Sequence, residues 1–358
     1  MNYAKLFLRK RNALSLSNPR ILLIKLSSLG DVIHALPTLE ALRSLYPRGH
    51  ITWLVEDTNA PVLAGHPALD EIWPVPRPRL GNGRFLANLQ ETFPAARRLR
   101  ERPFDLIIDL QGLFKSAFWV ALARGGRKLG YDRTREFSYL ALTERLAPFD
   151  PEAHAVWRYL NVARHLGAPA VPPLFRLGLN TPEDLDHLIS PETRRPLAVM
   201  HPGARWPTKL WPAAHWARLA GWLAREKGFQ VVITGSPGDR NLAGEIIATA
   251  EVPILNLVGR TSLAELAALL RKARLAVTTD TGPMHLACAL GTPVAALFGP
   301  TAPWRTGPFG QGHEVVRLAL PCSPCFRRLC PEPRCLTELK APAVQEAVEK
   351  ILVRRKNP

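Results

Sequence analysis

The sequence predicts an α/β fold: two doubly wound domains, each a parallel sheet with helices on both faces. Three observations carry that prediction. Short apolar runs end in turns containing Gly or Ser and then give way to stretches with helical apolar spacing. That alternation of strand and helix builds parallel sheets covered on both sides. The series starts near residue 20 and restarts after residue 190, and 358 residues suit two ordinary cores better than one. Both domains are therefore expected to be Rossmann-like.

In the first series, Ile21-Leu22-Leu23-Ile24 reads as a strand leading to Ser27-Ser28-Leu29-Gly30-Asp31. Val32, Ala35, Leu36 and Leu39 then recur at the spacing of one helix face. Pro37 is expected to kink or divide that helix, because it lacks the N–H that a helix interior uses. A second strand is expected over Ile51–Val55. A third, Leu106–Leu110, ends at Gln111-Gly112, with a helix from about Ser116.

The second series opens with the strand Leu197–Met200 and the turn His201-Pro202-Gly203. A helix over Trp211–Arg225 and a strand over Val231–Thr234 follow, and Gly235-Ser236-Pro237-Gly238-Asp239 turns into another helix. The strand Leu275–Thr278 leads through Thr279-Asp280-Thr281-Gly282-Pro283 into a helix over Met284–Leu290. Gly291 suits a left-handed helix terminus, and Val294–Phe298 is the next strand. The Pro-rich, polar stretch 169–196 is expected to hold the linker. Domains are thus expected over 20–180 and 181–340, with a terminal helix over 341–358.

Composition bounds the class. At 47% hydrophobic and 22% charged residues, the chain is expected to fold. It has no run near the roughly 18 apolar residues of a membrane-spanning helix. The patch Leu6-Phe7-Leu8, followed by Arg9-Lys10-Arg11, fits neither a signal peptide nor an anchor, so a cytoplasmic location is expected. The net charge of +17 favours polyanions: nucleic acid, an anionic membrane surface or a phosphorylated lipid. A solvated arginine-rich surface gives the same charge.

Ligands of doubly wound sheets bind beyond the carboxyl ends of the strands, where these turns lie. The turn before Met284 is a candidate phosphate site. Gly282 allows close backbone approach, Pro283 suits a first helical turn, and the helix N-terminus offers N–H groups to an anion. Thr281 adds a hydroxyl, and His285 lies in the first turn; alternatively, Asp280 or Thr281 simply caps the helix. Asp31 is either a general base or an ordinary acid at a helix start. No Gly-x-Gly-x-x-Gly motif follows the first strand, and no Walker lysine motif occurs, which argues against a dehydrogenase and a P-loop kinase.

Taken together, these motifs resemble glycosyltransferase family 9, the lipopolysaccharide heptosyltransferases. The likeness is carried by KLSSLGDVIHALP (25–37), DLIIDLQGLFKSA (105–117), Thr134-Arg135-Glu136, HPGARWPTKLWP (201–212) and TDTGPMHLACALGTPVAALFGPT (279–301). It spans roughly residues 20 to 340, and the IDLQGLFKSA and HAVWR (154–158) segments look most like heptosyltransferase I. The HPG turn, by contrast, is more like other branches of the family.

The resemblance implies a GT-B fold, with two Rossmann-like domains facing across a cleft. The first would bind the acceptor and the second the nucleotide sugar, and the last helix would cross back to the first. It also implies inverting transfer of heptose from ADP-heptose to Kdo-lipid A, with no cofactor or metal needed for the transfer. Asp31 then matches the catalytic base. Lys209 matches a diphosphate-binding lysine, and Thr281 and Gly282 supply further donors. Asp280 and His285 match donor-sugar contacts, Asp239 a ribose-binding acid, and Thr261 the adenine pocket. Arg135 and Arg158 match acceptor arginines, whose fork suits phosphate and carboxylate. The net charge then points to an anionic glycolipid at the cytoplasmic face of the inner membrane, contacted peripherally, and not to nucleic acid. Heptosyltransferase II, or another nucleotide-sugar transferase of surface glycans, is the near alternative. A basic nucleic-acid-binding protein with a cysteine-bound metal is the distant one, and it leaves the two-domain pattern unexplained.

Of five cysteines, Cys288 falls within a predicted helix and reads as a small buried residue. Cys322, Cys325, Cys330 and Cys335 share one Pro- and Arg-rich segment. Their spacing allows a structural zinc or iron–sulfur site, free thiols or a redox-labile pair.

Overall fold

The computed structural model describes residues 17–77, 85–190 and 195–354. The side chains of residues 85–91 and of Arg135 are outside that description, as is the N-terminal patch from Leu6 to Arg11. The chain divides into two compact units, Met1–Gly178 and Leu179–Pro358. Among the described residues, no helix is long and apolar enough to cross a membrane.

The first unit runs β1 (Arg20–Ile24), α1 (Leu29–Leu45), β2 (His50–Glu56), a 3-10 turn (Asp57–Leu63), β3 (Glu71–Val75), α2 (Phe85–Glu101) and β4 (Phe104–Asp109). It continues with α3 (Phe114–Leu122), β5 (Gly125–Tyr131), a 3-10 turn (Arg135–Ala141), β6 (Glu144–Leu146) and α4 (Ala155–His165). All neighbouring strands are parallel, in the order β3-β2-β1-β4-β5-β6. The central strands are apolar without a break because both of their faces are covered; Ile21 to Ile24 and Leu106 to Ile108 are fully buried.

The second unit runs β7 (Leu197–His201), a 3-10 turn (Pro207–Lys209), α5 (Ala213–Arg225), β8 (Gln230–Ile233), a 3-10 turn (Pro237–Asp239), α6 (Arg240–Thr249), β9 (Ile254–Asn256) and α7 (Leu263–Lys272). It continues with β10 (Leu275–Thr279), α8 (Gly282–Ala289), β11 (Val294–Leu297), α9 (Pro303–Thr306), β12 (Glu314–Val316), α10 (Arg334–Thr337) and α11 (Ala341–Arg354). Its parallel sheet has the order β12-β11-β10-β7-β8-β9, the same winding as in the first unit. Each sheet therefore has one switch point, between β1 and β4 in the first and between β7 and β10 in the second. Ligand crevices of doubly wound sheets open at such points.

One detail differs from the local patterns. α1 is continuous through Pro37 and is not divided there. Pro37 is buried, and α1 packs closely on α4. That packing outweighs the one backbone hydrogen bond that proline removes. The terminal helix α11 packs on α5, β11 and β12, placing Val344, Val348 and Ile351 in the core of the second unit.

Candidate active site

At the switch point of the first unit, β1 delivers Lys25 and then the turn Ser27-Ser28, which starts α1. Asp31 lies in the first turn of α1. Its Oδ2 accepts from the Ser28 N–H at 3.1 Å and from the Ser28 hydroxyl at 3.0 Å. This is the capping role expected of an ordinary N-terminal acid. The other oxygen does something else. Oδ1 accepts from the Tyr159 hydroxyl of α4 at 2.9 Å and lies 3.8 Å from Lys25 Nζ.

Lys25 is only 1% exposed. Its ammonium donates to the Tyr159 hydroxyl at 2.8 Å and to the Leu110 carbonyl at 3.4 Å. Burial pulls the Lys25 pKa down, but Asp31 and Tyr159 outweigh it and hold it above the ordinary value. For Asp31, burial pushes up, while Lys25, His34, the Ser28 N–H and the Tyr159 hydroxyl pull down harder. The net result is a carboxyl well below the ordinary range, ionised at any neutral pH. The Asp31 side chain is still 33% exposed, so a charged oxygen remains open to a ligand.

The surrounding loops fix this arrangement. Gln111 Oε1 accepts from the backbone N–H groups of Leu26 and Ser27, each at 3.1 Å. Lys115 of α3 donates to Glu56 at 2.7 Å and to the Ser27 hydroxyl. Buried Asp109 ends β4 and accepts from Gln111 N–H, Gly112 N–H and the Ser116 hydroxyl. Arg158 joins the cluster, with its guanidinium 5.3 Å from the centre of the Tyr159 ring. The structure thus brings together two of the expected residues, Asp31 and Arg158. The side chain of Arg135 lies outside the described residues. Sequence reasoning missed Lys25, Tyr159, Gln111 and Lys115. The one available signal was Lys25, a charge directly after a fully apolar strand.

In the second unit, the ends of β7 and β10 are tied together: Thr279 Oγ1 donates to the Gly203 carbonyl at 2.8 Å. Asp280 follows β10 and is buried. Its Oδ2 accepts from Lys209 Nζ at 2.7 Å and from the Thr301 hydroxyl at 2.6 Å. Lys209 also reaches the Asp280 carbonyl at 3.3 Å, which leaves one of its three N–H donors for a ligand. Its ammonium lies 4.6 Å from the centre of the Trp206 ring.

The Asp280 carboxylate is therefore engaged by Lys209 and Thr301. Thr281 is the N-cap residue of α8 but makes no side-chain cap bond, so its hydroxyl is not spent on the helix. Gly282 and Pro283 open α8, and His285 is buried in its first turn. Thr301 is a further residue that sequence reasoning missed.

Asp239 does act as a cap. Its Oδ2 accepts from the Ser236 N–H and hydroxyl, both at 2.7 Å. The same carboxylate rests against the HPG turn: a Cβ on Gly203 would lie 2.5 Å from Asp239 Cγ and Oδ1. Glycine at 203 is what allows that approach. Gly203→Ala should cost about 1–2 kcal/mol by overpacking. Urea denaturation checks this, and unchanged stability would mean that the carboxylate does not rest there. Thr261 is half-buried just before α7, after β9 and so three strands from β10. The loops that follow β8 and β9 are joined by Gly259 N–H donating to the Gly235 carbonyl at 2.9 Å.

Buried histidines set an acid limit to stability. Burial pushes His201 down to about 4, and His66 and His313 likewise to about 4. Unfolded imidazoles bind protons below about pH 6.5 that these buried rings refuse until about pH 4. Stability should be level above about pH 7 and fall as the pH drops from about 6.5 towards 4. Thermal midpoints recorded across that window check this; a midpoint that rises on acidification would contradict it.

The four clustered cysteines that allowed a metal site are not gathered into a ligand set among the described residues. Among the described residues, no three His, Cys, Asp or Glu side chains converge as ligands would. Cys322 and Cys325 are exposed, whereas Cys330 donates to the Glu332 carbonyl and Cys335 is turned towards Gly299. All five cysteines are free thiols, and burial pushes Cys288 up to about 12, as suits an inert packing residue.

A doubled Rossmann fold with both switch points lined by polar side chains is the GT-B architecture found in nucleotide-sugar glycosyltransferases, and this chain has that architecture. More narrowly, the chain belongs to glycosyltransferase family 9 (heptosyltransferase), whose sequence pattern matches residues 93–336. It is 34% identical to lipopolysaccharide heptosyltransferase 1 of Pseudomonas aeruginosa, over 93% of this chain and 98% of that one. It is 30% identical to lipopolysaccharide heptosyltransferase 2 of Escherichia coli, over 84% of this chain and 88% of that one. Among solved structures, it matches E. coli heptosyltransferase WaaC with ADP at a TM-score of 0.76 and 28% identity, covering 93% and 99% of the two chains.

Proposed function

We propose that this enzyme moves heptose from ADP-heptose onto the Kdo-lipid A inner core of lipopolysaccharide, with inversion at the anomeric carbon. The observation that carries this reading is Asp31, an open carboxylate kept charged by buried Lys25 and Tyr159 in a family 9 chain. The first unit binds the acceptor through Arg135 and Arg158, and the second binds the nucleotide sugar.

The acceptor hydroxyl oxygen attacks the anomeric carbon, its proton passes to Asp31, and the bond from that carbon to the diphosphate breaks. ADP leaves with the electron pair. A carboxylate of such low pKa is a weak base. It therefore takes the proton late, as the attacking hydroxyl grows acidic near an oxocarbenium-like centre. Lys209, Thr281 and the N–H groups at the start of α8 meet the charge growing on the diphosphate. Asp280 and His285 face the sugar, Asp239 the ribose and Thr261 the adenine. No step calls for a metal. The acceptor's lipid places the enzyme peripherally on the cytoplasmic face of the inner membrane.

Relatives named for both heptosyltransferase 1 and heptosyltransferase 2 favour one second reading, in which an already heptosylated core is the acceptor. A screen settles the choice. ADP-, UDP- and GDP-sugars are offered with Kdo-lipid A and with heptosylated core, and products are read by mass. Transfer from ADP-heptose to Kdo-lipid A is expected, and transfer only from UDP- or GDP-sugars would overturn the proposal.

A further inference from the structure

We propose that the aromatic face formed by α3 and the 3-10 turn Arg135–Ala141 docks this enzyme on an anionic lipid bilayer. The inference rests on the reading of the acceptor as a membrane glycolipid. Phe114 and Phe118 lie four residues apart, on one side of α3, and are 69% and 48% exposed. On the adjoining turn, Phe137 and Leu140 are 71% and 67% exposed. The two elements pack together, and the Phe114 N–H donates to Glu136 Oε2 at 2.9 Å. The opposite side of α3 buries Trp119 and Val120 in the core. Its outward aromatics are therefore not a poorly packed remnant of that core.

Two further features mark this face. Glu136 and Phe137 have φ of 60° and 55°, the left-handed region that bulky residues avoid. Backbone of this kind concentrates where function requires it. The segment that carries the face is also basic: from Leu113 to Leu146, seven Lys and Arg residues stand against three carboxylates. Arg133, at the start of the turn, is largely exposed. Clustered exposed aromatics in a segment of net positive charge match the chemistry of a bilayer interface with anionic headgroups.

The face also connects to the catalytic group. From the same helix, Lys115 reaches the Ser27 hydroxyl, and neighbouring Ser28 holds Asp31. A glycolipid anchored at this face is thereby presented towards the Asp31 end of β1.

The test uses the full-length protein and the variant Phe114→Ser/Phe118→Ser/Phe137→Ser. Co-sedimentation is measured with vesicles containing phosphatidylglycerol and with pure phosphatidylcholine vesicles. Wild type should bind the anionic vesicles, and the variant's bound fraction should fall about tenfold. Thermal midpoint and turnover on a deacylated, water-soluble acceptor should be unchanged. Equal binding of variant and wild type would overturn the proposal. So would wild type that ignores anionic vesicles, or a wild-type dimer that the substitutions convert to a monomer in light scattering. If no acceptor receives heptose at all, the proposed function fails, while the vesicle measurement still decides the docking face.

Discussion

Asp31→Asn is expected to lower turnover about a thousandfold, within the range that loss of a general base produces. Asparagine keeps the shape, and because Tyr159 and Ser28 both sit on the acceptor side, ADP affinity should stay as in wild type. It loses the charge and one of the two acceptor oxygens, so it can accept from Tyr159 or from Ser28 but not from both. Lys25 is then left buried without its anion, although the Tyr159 hydroxyl still accepts from it. Because Asp31 is a third exposed, the stability cost should be well below that of breaking a fully buried pair, about 1–2 kcal/mol. The pH profile supplies a separate check. A carboxyl held this low stays ionised above about pH 4, so Asp31 should impose no acid limb on kcat/KM in the neutral range. Near-normal turnover of the variant would remove Asp31 from the reaction. A wild-type acid limb near pH 6 that disappears in the variant would show that its carboxyl is not held ionised.

Lys209→Met should weaken ADP binding at least about tenfold, the scale of a charge-assisted contact to phosphate. The variant should also be less stable by about 3 kcal/mol, because it strands a buried carboxylate. Asp280 would keep only the Thr301 hydroxyl as a side-chain donor where it now has Lys209 as well. Calorimetric titration with ADP and urea denaturation measure the two effects separately. Full ADP affinity alongside lost stability would reduce Lys209 to a structural partner of Asp280. Loss of affinity with no change in stability would mean that the ion pair contributes nothing to the fold.

The same division between local and distant effects decides what could be read in advance. The central strands β1, β2, β4, β7, β8, β10 and β11 were legible because each is a short apolar run closed by a turn. The edge strands β3, β6, β9 and β12 were not, and neither was β5, which lies inside the first sheet beside β6. β3 carries Pro74, β5 reads Gly-Gly-Arg-Lys, and β6, β9 and β12 span three residues each, so none shows an apolar run. Edge strands bury only part of their surface and tolerate such sequences. The turns that carry Asp31, Asp239 and Asp280 were legible too, but the partners of their carboxylates were not. Asp239 is a cap, Asp280 is bound to a lysine 71 residues away, and Asp31 is both a cap and a charged end of a buried cluster.

By itself, the sequence determined the two windings and the turns at their switch points, because strand and helix periods and turn residues act over a few neighbours. Only the tertiary structure decided which carboxylate is kept ionised. Lys25 and Tyr159 meet across 134 residues of chain, and Tyr159 and Asp31 across 128. The charge on Asp31 is a balance of desolvation against those long-range partners, and that balance exists only once α1 and α4 have packed around the end of β1.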